Sequence, residues 1–467
     1  MPQISRSERE RNLEQELRVS GLLSGSELAR RTRSSQATVH RTLSGMTERL
    51  VSIGSTRSTR HGLRQNVRNL GSSWPIFRIS PDGQPVSFGQ LTAFSRGYIF
   101  ESANETPTWL RNIEGQPVFD GLPFFLTDIR PQGFIGRAIA RAMPTRVDFP
   151  PDLRFWNDEH ILHYLYEFGS EVPGDLILGE RMLNEALVVS RSNLIQRNDR
   201  TEFYPDEAER MMAGETPGSS AGGEQPKFTA WISDSPSGEN YEVIVKFSPP
   251  CDTPVGSRWA DLLVCEFLAN QLLGSEGFDV PDTDLIVASS RTFLESRRFD
   301  RAGAYGRRGV LTAEAIAAVY LGAADGSWID VVRSLGNAGA ISEGDVERIS
   351  VLAWFGRLTA NTDMHLGNLS FWFTDDSYPY RPTPLYDMLP MGFAPRSTGE
   401  LAEWEFTLPP PLPIDLRTAQ QALPLAVSFW RCVSKDERIS GTFRNIADDC
   451  SERLHAWAER FSLSGLT

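Results

Sequence analysis

The spacing of acidic and amide residues between positions 361 and 387 constrains this chain more than any other feature. The segment 361–370 reads NTDMHLGNLS, with Asp363 five residues ahead of Asn368, and Asp387 follows in the segment PLYDM. An acid, an amide and a second acid in this order suit phosphoryl transfer. The first acid orients an attacking hydroxyl, and the other two hold Mg²⁺ on the phosphates of a nucleotide. The same residue types also cap helices and form turns, so the order alone is weak evidence.

A glycine-containing loop and the two strands after it could hold the phosphates of that nucleotide. Gly222 and Gly223 allow backbone amides to approach an anion closely. Strands are predicted over 228–232 and 241–247, and Lys246 in the second is placed to contact the α- and β-phosphates. An edge-strand surface charge is the alternative for Lys246, but lysine is scarce and occurs only three times in the chain. The further candidates for nucleotide contacts are Gln225, Lys227 and His365.

The remainder of the body is predicted to be helical. A helix over 259–273 offers two acids as partners for Lys246, Asp261 and Glu266, and the pattern does not choose between them. The segment 205–224 is rich in Gly, Ser, Pro and Glu, which predicts a mobile loop. Apolar periodicity then predicts helices over 312–321, 328–335, 343–360, 415–433 and 439–461. The body is therefore expected to be β-rich first and helical second, with the acids at the junction.

The first 70 residues form a basic head on an acidic body. They contain 13 Arg, no Lys and 6 Glu, a charge of +7, whereas the whole chain carries −13. The pattern predicts helices over 7–19, around 27–31 with Ser24 or Ser26 as its cap, and from Ser34 or Ser35 to about Leu50. A strand over 50–53 and a turn at 54–62 should follow. This order is typical of a winged helix-turn-helix.

A winged helix-turn-helix would bind duplex DNA with its third helix and its wing. Base contacts would come from Gln36, His40 and Arg41, and phosphate contacts from Arg57 and Arg60. The alternative is a small helical domain used for dimerisation. The wing is rich in arginine and has no apolar residues that could pack against a partner or a core. This composition favours DNA binding.

Composition excludes several classes of protein. Of the 467 residues, 40% are hydrophobic and 23% charged, which is typical of globular proteins. No apolar run is long enough to span a bilayer, and the charged N-terminus shows no signal peptide. The four cysteines form no CxxC pair, so we expect reduced thiols in a cytoplasmic protein. Glu159, His160 and His163 do not match a zinc-binding spacing, so a solvated helix face is predicted there.

Six short segments of the body together resemble one known family. The segments are RPQGF at 130–134, GGEQPK at 222–227, the Lys246 strand, RFDR at 298–301, the 361–370 loop and the Tyr386–Asp387 pair. They occur in order in the HipA-like serine/threonine kinases of toxin–antitoxin systems, and the chain resembles a branch with its own winged-helix domain. Antitoxins of that family are separate DNA-binding proteins, whereas here the DNA-binding head is expected in the same chain.

The resemblance implies a fold, an activity and roles for individual residues. It implies Asp363 as catalytic base, Asn368 and Asp387 as Mg²⁺ ligands and Lys246 as an ATP ligand. It also implies protein substrates, because family members phosphorylate aminoacyl-tRNA synthetases and halt growth. A serine at the place of Ser220 is autophosphorylated in the family. A phosphoserine there would repel the triphosphate and reduce ATP affinity.

We therefore predict an α+β protein with three parts. These are a winged helix-turn-helix over 1–72, a β-rich kinase N-lobe over 73–310 and a helical C-lobe over 311–467. The predicted activity is that of an ATP- and Mg²⁺-dependent serine/threonine kinase, a growth-arresting toxin whose head binds DNA. The expected partners are ATP, a protein substrate and duplex DNA, with a homodimer left open and no membrane. Two alternatives remain: a DNA-binding regulator with an inactive kinase-like body, and a small-molecule phosphotransferase.

Overall fold

The computed structural model describes most of the chain. The described residues are 5–55, 58–105, 107, 109–110, 118–143, 148–188, 194–213, 225–234, 239–322, 325–374, 378–396, 400–401 and 404–461. They form a mixed α+β fold in which helices and antiparallel sheets share one large hydrophobic core. Within those ranges, no helix combines the length and the apolar character that crossing a bilayer requires.

The head contains the predicted order of helices and strands. The bounds are α1 Arg6–Ser20, β1 Leu23–Ser24, α2 Gly25–Arg31, α3 Gln36–Ser44, β2 Leu50–Ile53 and β3 Arg60–Leu63. Ser24 and Ser35, rather than Ser26 and Ser34, accept the backbone hydrogen bonds that begin α2 and α3. The strand β3 lies between β1 and β2. Leucines of all three helices form a separate small core beneath the sheet.

The third helix of the head is shorter than predicted. It ends at Ser44, whereas the apolar periodicity predicted an end near Leu50. Gly45 follows directly, and glycine is among the poorest helix formers because it loses the most backbone entropy. One turn of 3₁₀ helix over Thr47–Arg49 then leads into β2. Met46 and Leu50 are nevertheless buried. The apolar periodicity therefore predicted their burial correctly, although both residues lie outside the helix.

A five-stranded sheet with helices follows the head. Its elements are β4 Ser73–Ile79, β5 Pro85–Phe94, β6 Gly97–Ser102, β7 Val118–Phe119, α4 Phe124–Thr127, α5 Gly133–Ala142, α6 Asp158–Phe168, β8 Leu176–Leu178 and α7 Glu180–Ala186. The strand order is β7-β6-β5-β4-β8, and each pair is antiparallel. Alternating apolar and polar residues predict strands over 74–101, and the pattern also predicts helices near 134–142 and 158–168. The elements β4 to β6, α5 and α6 confirm these predictions. We call residues 73–188 the middle segment.

A second five-stranded sheet carries the lysines of the predicted site. Its elements are β9 Leu194–Gln196, α8 Arg200–Ala213, β10 Lys227–Ser233, β11 Asn240–Phe247, α9 Pro254–Ser275, β12 Thr283–Ala288 and β13 Arg291–Arg297. The strand order is β12-β13-β11-β10-β9, with β9 parallel to β10 and the other pairs antiparallel. Helix α9 contacts β11, β12 and β13. It begins earlier than predicted because Thr253 caps it and Pro254 occupies its first turn.

Residues 205–213 are helical, which corrects the prediction of a loop beginning at 205. They form the second part of α8, in which Tyr204, Ala208 and Met211 are buried at helical spacing. The Tyr204 hydroxyl donates to Glu295 over 2.5 Å and fastens the helix to β13. This packing outweighs the poor helix propensity of Pro205. The rest of the predicted loop, 214–224, lies outside the described residues.

The last part of the chain is helical apart from two short antiparallel strand pairs, β14 with β15 and β16 with β17. Its elements are β14 Arg301–Ala302, β15 Gly306–Arg307, β16 Val310–Thr312, α10 Ala313–Tyr320, α11 Trp328–Asn337, α12 Glu343–Leu358, β17 Ser370–Trp372, α13 Leu416–Lys435 and α14 Gly441–Arg460. The five predicted helices are confirmed within a few residues at each end. Antiparallel pairing of β16 with β17 brings the loop before residue 370 beside the start of α10.

The head is packed against the middle segment. Ser95 donates its backbone N–H to the Leu63 carbonyl over 2.9 Å and its hydroxyl to the Leu17 carbonyl over 2.8 Å. Val51 of β2 is buried against Phe94 and Ile99 of the middle sheet. Apolar burial and backbone hydrogen bonds at one junction join the two parts into a single structural unit.

The same junction corrects the prediction of a solvated helix face at Glu159, His160 and His163. His163 is buried, and its Nδ1 accepts a hydrogen bond from Arg68 Nε over 3.0 Å. Burial, and then the charge of Arg68, lower the pKa of His163, so the neutral ring is favoured. Across the described residues, His, Cys, Asp and Glu side chains form no group of three or more suited to a metal.

Candidate active site

Lys227 and Lys246 lie directly opposite each other on β10 and β11. Opposite residues of an antiparallel pair point to the same face of the sheet, so two positive side chains share one environment. Both are buried, with 3% and 6% of their surface exposed. Like charges so placed repel each other, so the pair requires acids or an anionic ligand nearby.

Two acids meet the ammonium group of Lys246. It donates to both oxygens of Glu266 over 2.6 and 2.7 Å and to Oδ1 of Asp387 over 2.5 Å. Glu266 comes from α9 and Asp387 from the loop after β17, so the lysine joins the sheet, a helix and the acidic loop. Asp261 does not compete, because its carboxylate accepts hydrogen bonds from the Ser440 backbone and hydroxyl over 2.7 and 2.6 Å. Glu266 is therefore the acid that pairs with Lys246.

The pKa values in this cluster follow from burial and from the mixed charges. Burial opposes the charge of Lys246, but Asp387 and Glu266 raise its pKa above the ordinary value. Burial also opposes the charge of Asp387, yet Lys246 and Lys227 lower its pKa to about 2. Burial lowers the pKa of Lys227 and raises the pKa of Glu266. Asp387 is thus an anion at neutral pH, held by a charged Lys246.

Asn361 joins the two acidic loops. Its Nδ2 donates to the Asp387 carbonyl over 3.2 Å, and its Oδ1 accepts the Asp363 backbone N–H over 3.0 Å. Asn368 Nδ2 donates to the Asp363 carbonyl over 2.8 Å, which leaves its Oδ1 as the oxygen available to a metal. The Asp363 side chain is exposed. Backbone positions of all three predicted residues are therefore set by hydrogen bonds within the loops.

Both acidic loops pack closely against α12 at Gly356, where the helix has no side chain. A Cβ at Gly356 would lie 2.3 Å from Sδ of Met364 and 3.3 Å from Sδ of Met388. Each methionine is the neighbour of a predicted site acid, Asp363 or Asp387. Asp387 itself has φ +57, a left-handed conformation that Asp and Asn tolerate better than most residues. The loops can approach the helix this closely because no side chain stands at position 356.

The predicted residues surround two adjacent spaces. The cavity beside the lysines has a volume of about 190 Å³, and its lining includes Lys227, Lys246, Glu266, His365, Asn368 and Asp387. A separate depression of about 390 Å³ includes Asp363 and shares His365 with the cavity. The predicted base thus faces one space, and the predicted phosphate and metal ligands face the other. His365 is exposed, and its Nδ1 accepts the Gly367 N–H over 3.1 Å.

The remaining predicted residues of the nucleotide site are less well placed or cannot be located. Gln225 is not part of the cavity lining, and its Nε2 is buried without a hydrogen-bond partner among the described residues. Gly222, Gly223 and Ser220 lie outside the described residues.

Sequence reasoning missed one acid, Asp128, that the structure places at the cavity. Asp128 accepts the Thr312 hydroxyl over 2.6 Å and the Thr312 N–H over 2.8 Å. Burial raises the pKa of Asp128 to about 6. Only its position two residues before the RPQGF segment could have drawn attention to it.

The RFDR segment holds the second sheet to the middle segment. Arg298 makes a two-pronged ion pair with Asp300, and Arg301 pairs with Glu242 over 2.9 Å. Asp300 accepts the Gly174 N–H over 2.9 Å, and Arg301 donates to the Gly174 carbonyl over 3.2 Å. The arginines, Asp300 and Glu242 are all buried. The RFDR segment, which the sequence singled out only through the family resemblance, thus forms a structural junction and also lines the cavity.

In the head, α3 exposes three predicted DNA contacts, Gln36, His40 and Arg41. Its opposite face is buried through Val39, Thr42 and Leu43. His61 of β3 lies close enough to His40 that burial and then the His40 charge lower the pKa of His61. These four exposed or half-buried side chains belong to one face of the head, and His61 was not predicted.

The two predicted phosphate contacts of the wing have different outcomes. Arg57 lies outside the described residues. Arg60 begins β3 and lines a groove between the head and the middle segment, together with Asp120 and Glu159. Arg60 is therefore near acids of the body as well as at the base of the wing.

Two family models match successive parts of the chain. The model of the HipA-like C-terminal domain matches residues 219–457, and the model of the YjjJ-like toxin middle domain matches residues 70–187. Toxin YjjJ of Escherichia coli (strain K12) is 36% identical over 453 residues, covering 96% of this chain and 99% of that protein. The chain belongs to the HipA-like toxin family. The resemblance seen in the sequence is confirmed.

Two solved structures of lower sequence identity match the chain to different extents. The Shewanella oneidensis MR-1 toxin HipA, determined with HipB and its operator DNA, matches with a TM-score of 0.50 and 14% identity, covering 83% of this chain and 97% of that chain. The Helicobacter pylori proinflammatory kinase CtkA matches with a TM-score of 0.35 and 15% identity, covering 52% of this chain and 94% of that chain. The HipA match shows that this chain shares the fold of that HipA protein.

Proposed function

We propose that this protein is an ATP- and Mg²⁺-dependent serine/threonine protein kinase that acts as a growth-arresting toxin and binds DNA through its head. One observation carries the proposal: Lys246 bridges Glu266 and Asp387 in a cavity that Asn368 also lines. A strand lysine paired with a helix glutamate is the arrangement that grips nucleotide phosphates in kinases. The alternative of an isolated surface lysine is inconsistent with its burial.

The donor set fits Mg²⁺. Asp387 and Asn368 contribute oxygens to the same cavity, and Mg²⁺ prefers oxygen ligands while leaving other positions to phosphates and water. When bound, the ion would neutralise charge on the transferring phosphate. Lys246 and Lys227, which line the same cavity, would bind the phosphates, and His365 lies at the boundary with the second space. Asp363 would orient the acceptor hydroxyl from the depression.

The head supplies the second half of the proposal. Its helices and three-stranded sheet have the element order of a winged helix-turn-helix, and α3 exposes Gln36, His40 and Arg41. The +7 charge of residues 1–70 favours duplex DNA, and Arg57 and Arg60 would add phosphate contacts. Autophosphorylation at Ser220 remains part of the proposal as a means of turning the kinase off.

Transfer of phosphate from labelled ATP tests the kinase. We expect the wild-type protein to label serines or threonines of lysate proteins, identified by mass spectrometry, with Ser220 of the chain among them. Asp363→Asn should bind MgATP like the wild type and label nothing, because it changes only the residue that orients the hydroxyl. Asp345→Asn, in the first turn of α12 and outside the linings of both spaces, is the matched control and should behave as wild type. Absence of transfer by folded wild-type protein, or full transfer by Asp363→Asn, would contradict the proposal.

A further inference from the structure

The depression beside Asp363 has a second charged residue that the proposed chemistry does not use. Arg357, in the last turn of α12, lines it together with Trp328 and Thr362. The depression is distinct from the lysine-lined cavity, so a molecule bound there would reach Asp363 without displacing a nucleotide. Its position is that of an acceptor site.

The guanidinium of Arg357 is half-buried and stacks on the ring of Trp354 at 4.9 Å. It makes no hydrogen bond or ion pair within the described ranges, although an arginine carries five donors. Burial lowers its pKa, which shows that its surroundings do not fully compensate its charge. Stacking fixes the plane of the guanidinium and leaves its donor edge for another group.

The acids and the cation closest to Arg357 are engaged elsewhere. Asp415 accepts from Arg333 over 2.5 Å, and Asp330 accepts the Ser327 hydroxyl over 2.6 Å. The loop opposite is also held, since the Trp328 indole donates to the His365 carbonyl over 2.9 Å. The depression therefore has fixed walls and one arginine whose donors are available to an anion from outside the chain.

We propose that this depression binds the acceptor segment of the protein substrate and that Arg357 binds the carboxylate of an Asp or Glu close to the acceptor serine or threonine. The inference rests on the proposed kinase function and adds a substrate class to it. A planar guanidinium forms paired hydrogen bonds with a carboxylate, and this geometry gives specificity as well as affinity. Arg357 would act as a specificity residue, while Asp363 orients the hydroxyl.

Phosphorylation of synthetic peptides by the full-length protein tests the inference. A degenerate library with one fixed serine or threonine should show enrichment of Asp or Glu at one nearby position. Replacing that acid by its amide should lower kcat/KM of the wild-type protein about tenfold or more, mainly through KM. Arg357→Gln should lose the preference and treat the two peptides alike, and Arg357→Lys should retain part of it.

Arg348→Gln is the matched control. Arg348 is on the same helix and stacks on Phe278 at 4.9 Å, but it does not line the depression. It should keep the wild-type preference. MgATP affinity should be unchanged in every variant. An acid preference that survives Arg357→Gln, or no acid preference in the wild-type protein, overturns the inference while leaving the kinase function standing. Transfer to no peptide or protein at all would refute the kinase function and this inference with it.

Discussion

Lys246 neutralises Asp387 in the structure, so an ion pair fixes the position of the proposed metal ligand. The left-handed φ of +57 at Asp387 adds a backbone constraint that asparagine can also satisfy. Asp387→Asn should therefore fold normally, and Lys246 would keep Glu266 as its partner. We expect MgATP binding to fall below detection by calorimetry, because an amide cannot offset the cation as a carboxylate does. Wild-type affinity in a variant with an unchanged melting temperature would contradict the assignment of Asp387.

The two acids of α9 offer a matched pair of substitutions. Glu266→Gln removes the charge that faces Lys246 and should weaken MgATP binding about tenfold. Asp261→Asn removes an acceptor from Ser440 and should reduce the free energy of unfolding by about 1–3 kcal/mol without affecting MgATP. Calorimetry and urea unfolding on both variants separate the roles. An equal loss of nucleotide affinity in the two would show that Glu266 is only structural.

Asp128 predicts a dependence of stability on pH. Burial opposes the charge of Asp128 and raises its pKa from the ordinary 3.8 to about 6 in the folded protein. The folded state therefore binds the proton more tightly between these values, and stability should fall as pH rises from about 4 to about 6. The change is on the order of 3 kcal/mol. Asp128→Asn should flatten that part of the unfolding-temperature profile, and an unchanged slope in the variant would rule out Asp128 as its source.

At the scale of elements, the sequence pattern predicted the bounds of a helix or strand wherever its buried residues recur with a single helical or strand period. The strands β10 and β11 and the helices α10 to α14 lie within a few residues of their predictions. The extent of α8 was not predictable from its own residues, because its helical form depends on Tyr204 reaching Glu295, 91 residues away. The sequence pattern left Asp261 and Glu266 open as partners of Lys246 for the same reason, since Ser440, which binds Asp261, is 179 residues away.

The RFDR junction shows how much contacts between residues distant in sequence contribute to the free energy of unfolding. Arg301 is buried and forms ion pairs with Glu242 and Asp300. Arg301→Ala therefore removes one cationic partner from each of these two buried carboxylates. We expect a loss of about 3–5 kcal/mol in the free energy of unfolding, measured by urea denaturation. Arg154→Ala is the control, because Arg154 also pairs with a carboxylate but is exposed. It should have no measurable effect. Equal behaviour of the two variants would mean that the buried junction does not support the fold.

At the scale of the whole molecule, the head and body are one unit with opposite charges. Val51 is buried against the middle segment, so DNA binding is best measured on the full-length protein. We expect binding to duplex DNA to weaken steeply between 50 and 200 mM salt, as the +7 head predicts. Arg41→Ala should reduce the slope of log affinity against log salt by about one.

Arg431→Ala serves as the control for that slope, because Arg431 is exposed on α13 and the substitution removes the same charge from the body. Gel shifts at several salt concentrations provide the comparison. Binding that does not depend on salt would favour a head used for dimerisation, and equal slopes in the two variants would exclude α3 as the contact.

The placement of the lysines makes the cavity accessible to covalent profiling. Lysine is among the commonest residues in most proteins, yet here two of three are buried at the cavity and only Lys435 is exposed. An amine-directed acylating reagent therefore meets little competition on the surface of this protein. A nucleotide analogue with an acyl phosphate would deliver its acyl group beside Lys227, whose lowered pKa increases the neutral, nucleophilic form. Occupancy of the cavity could thus be followed in whole cells from a single modified peptide.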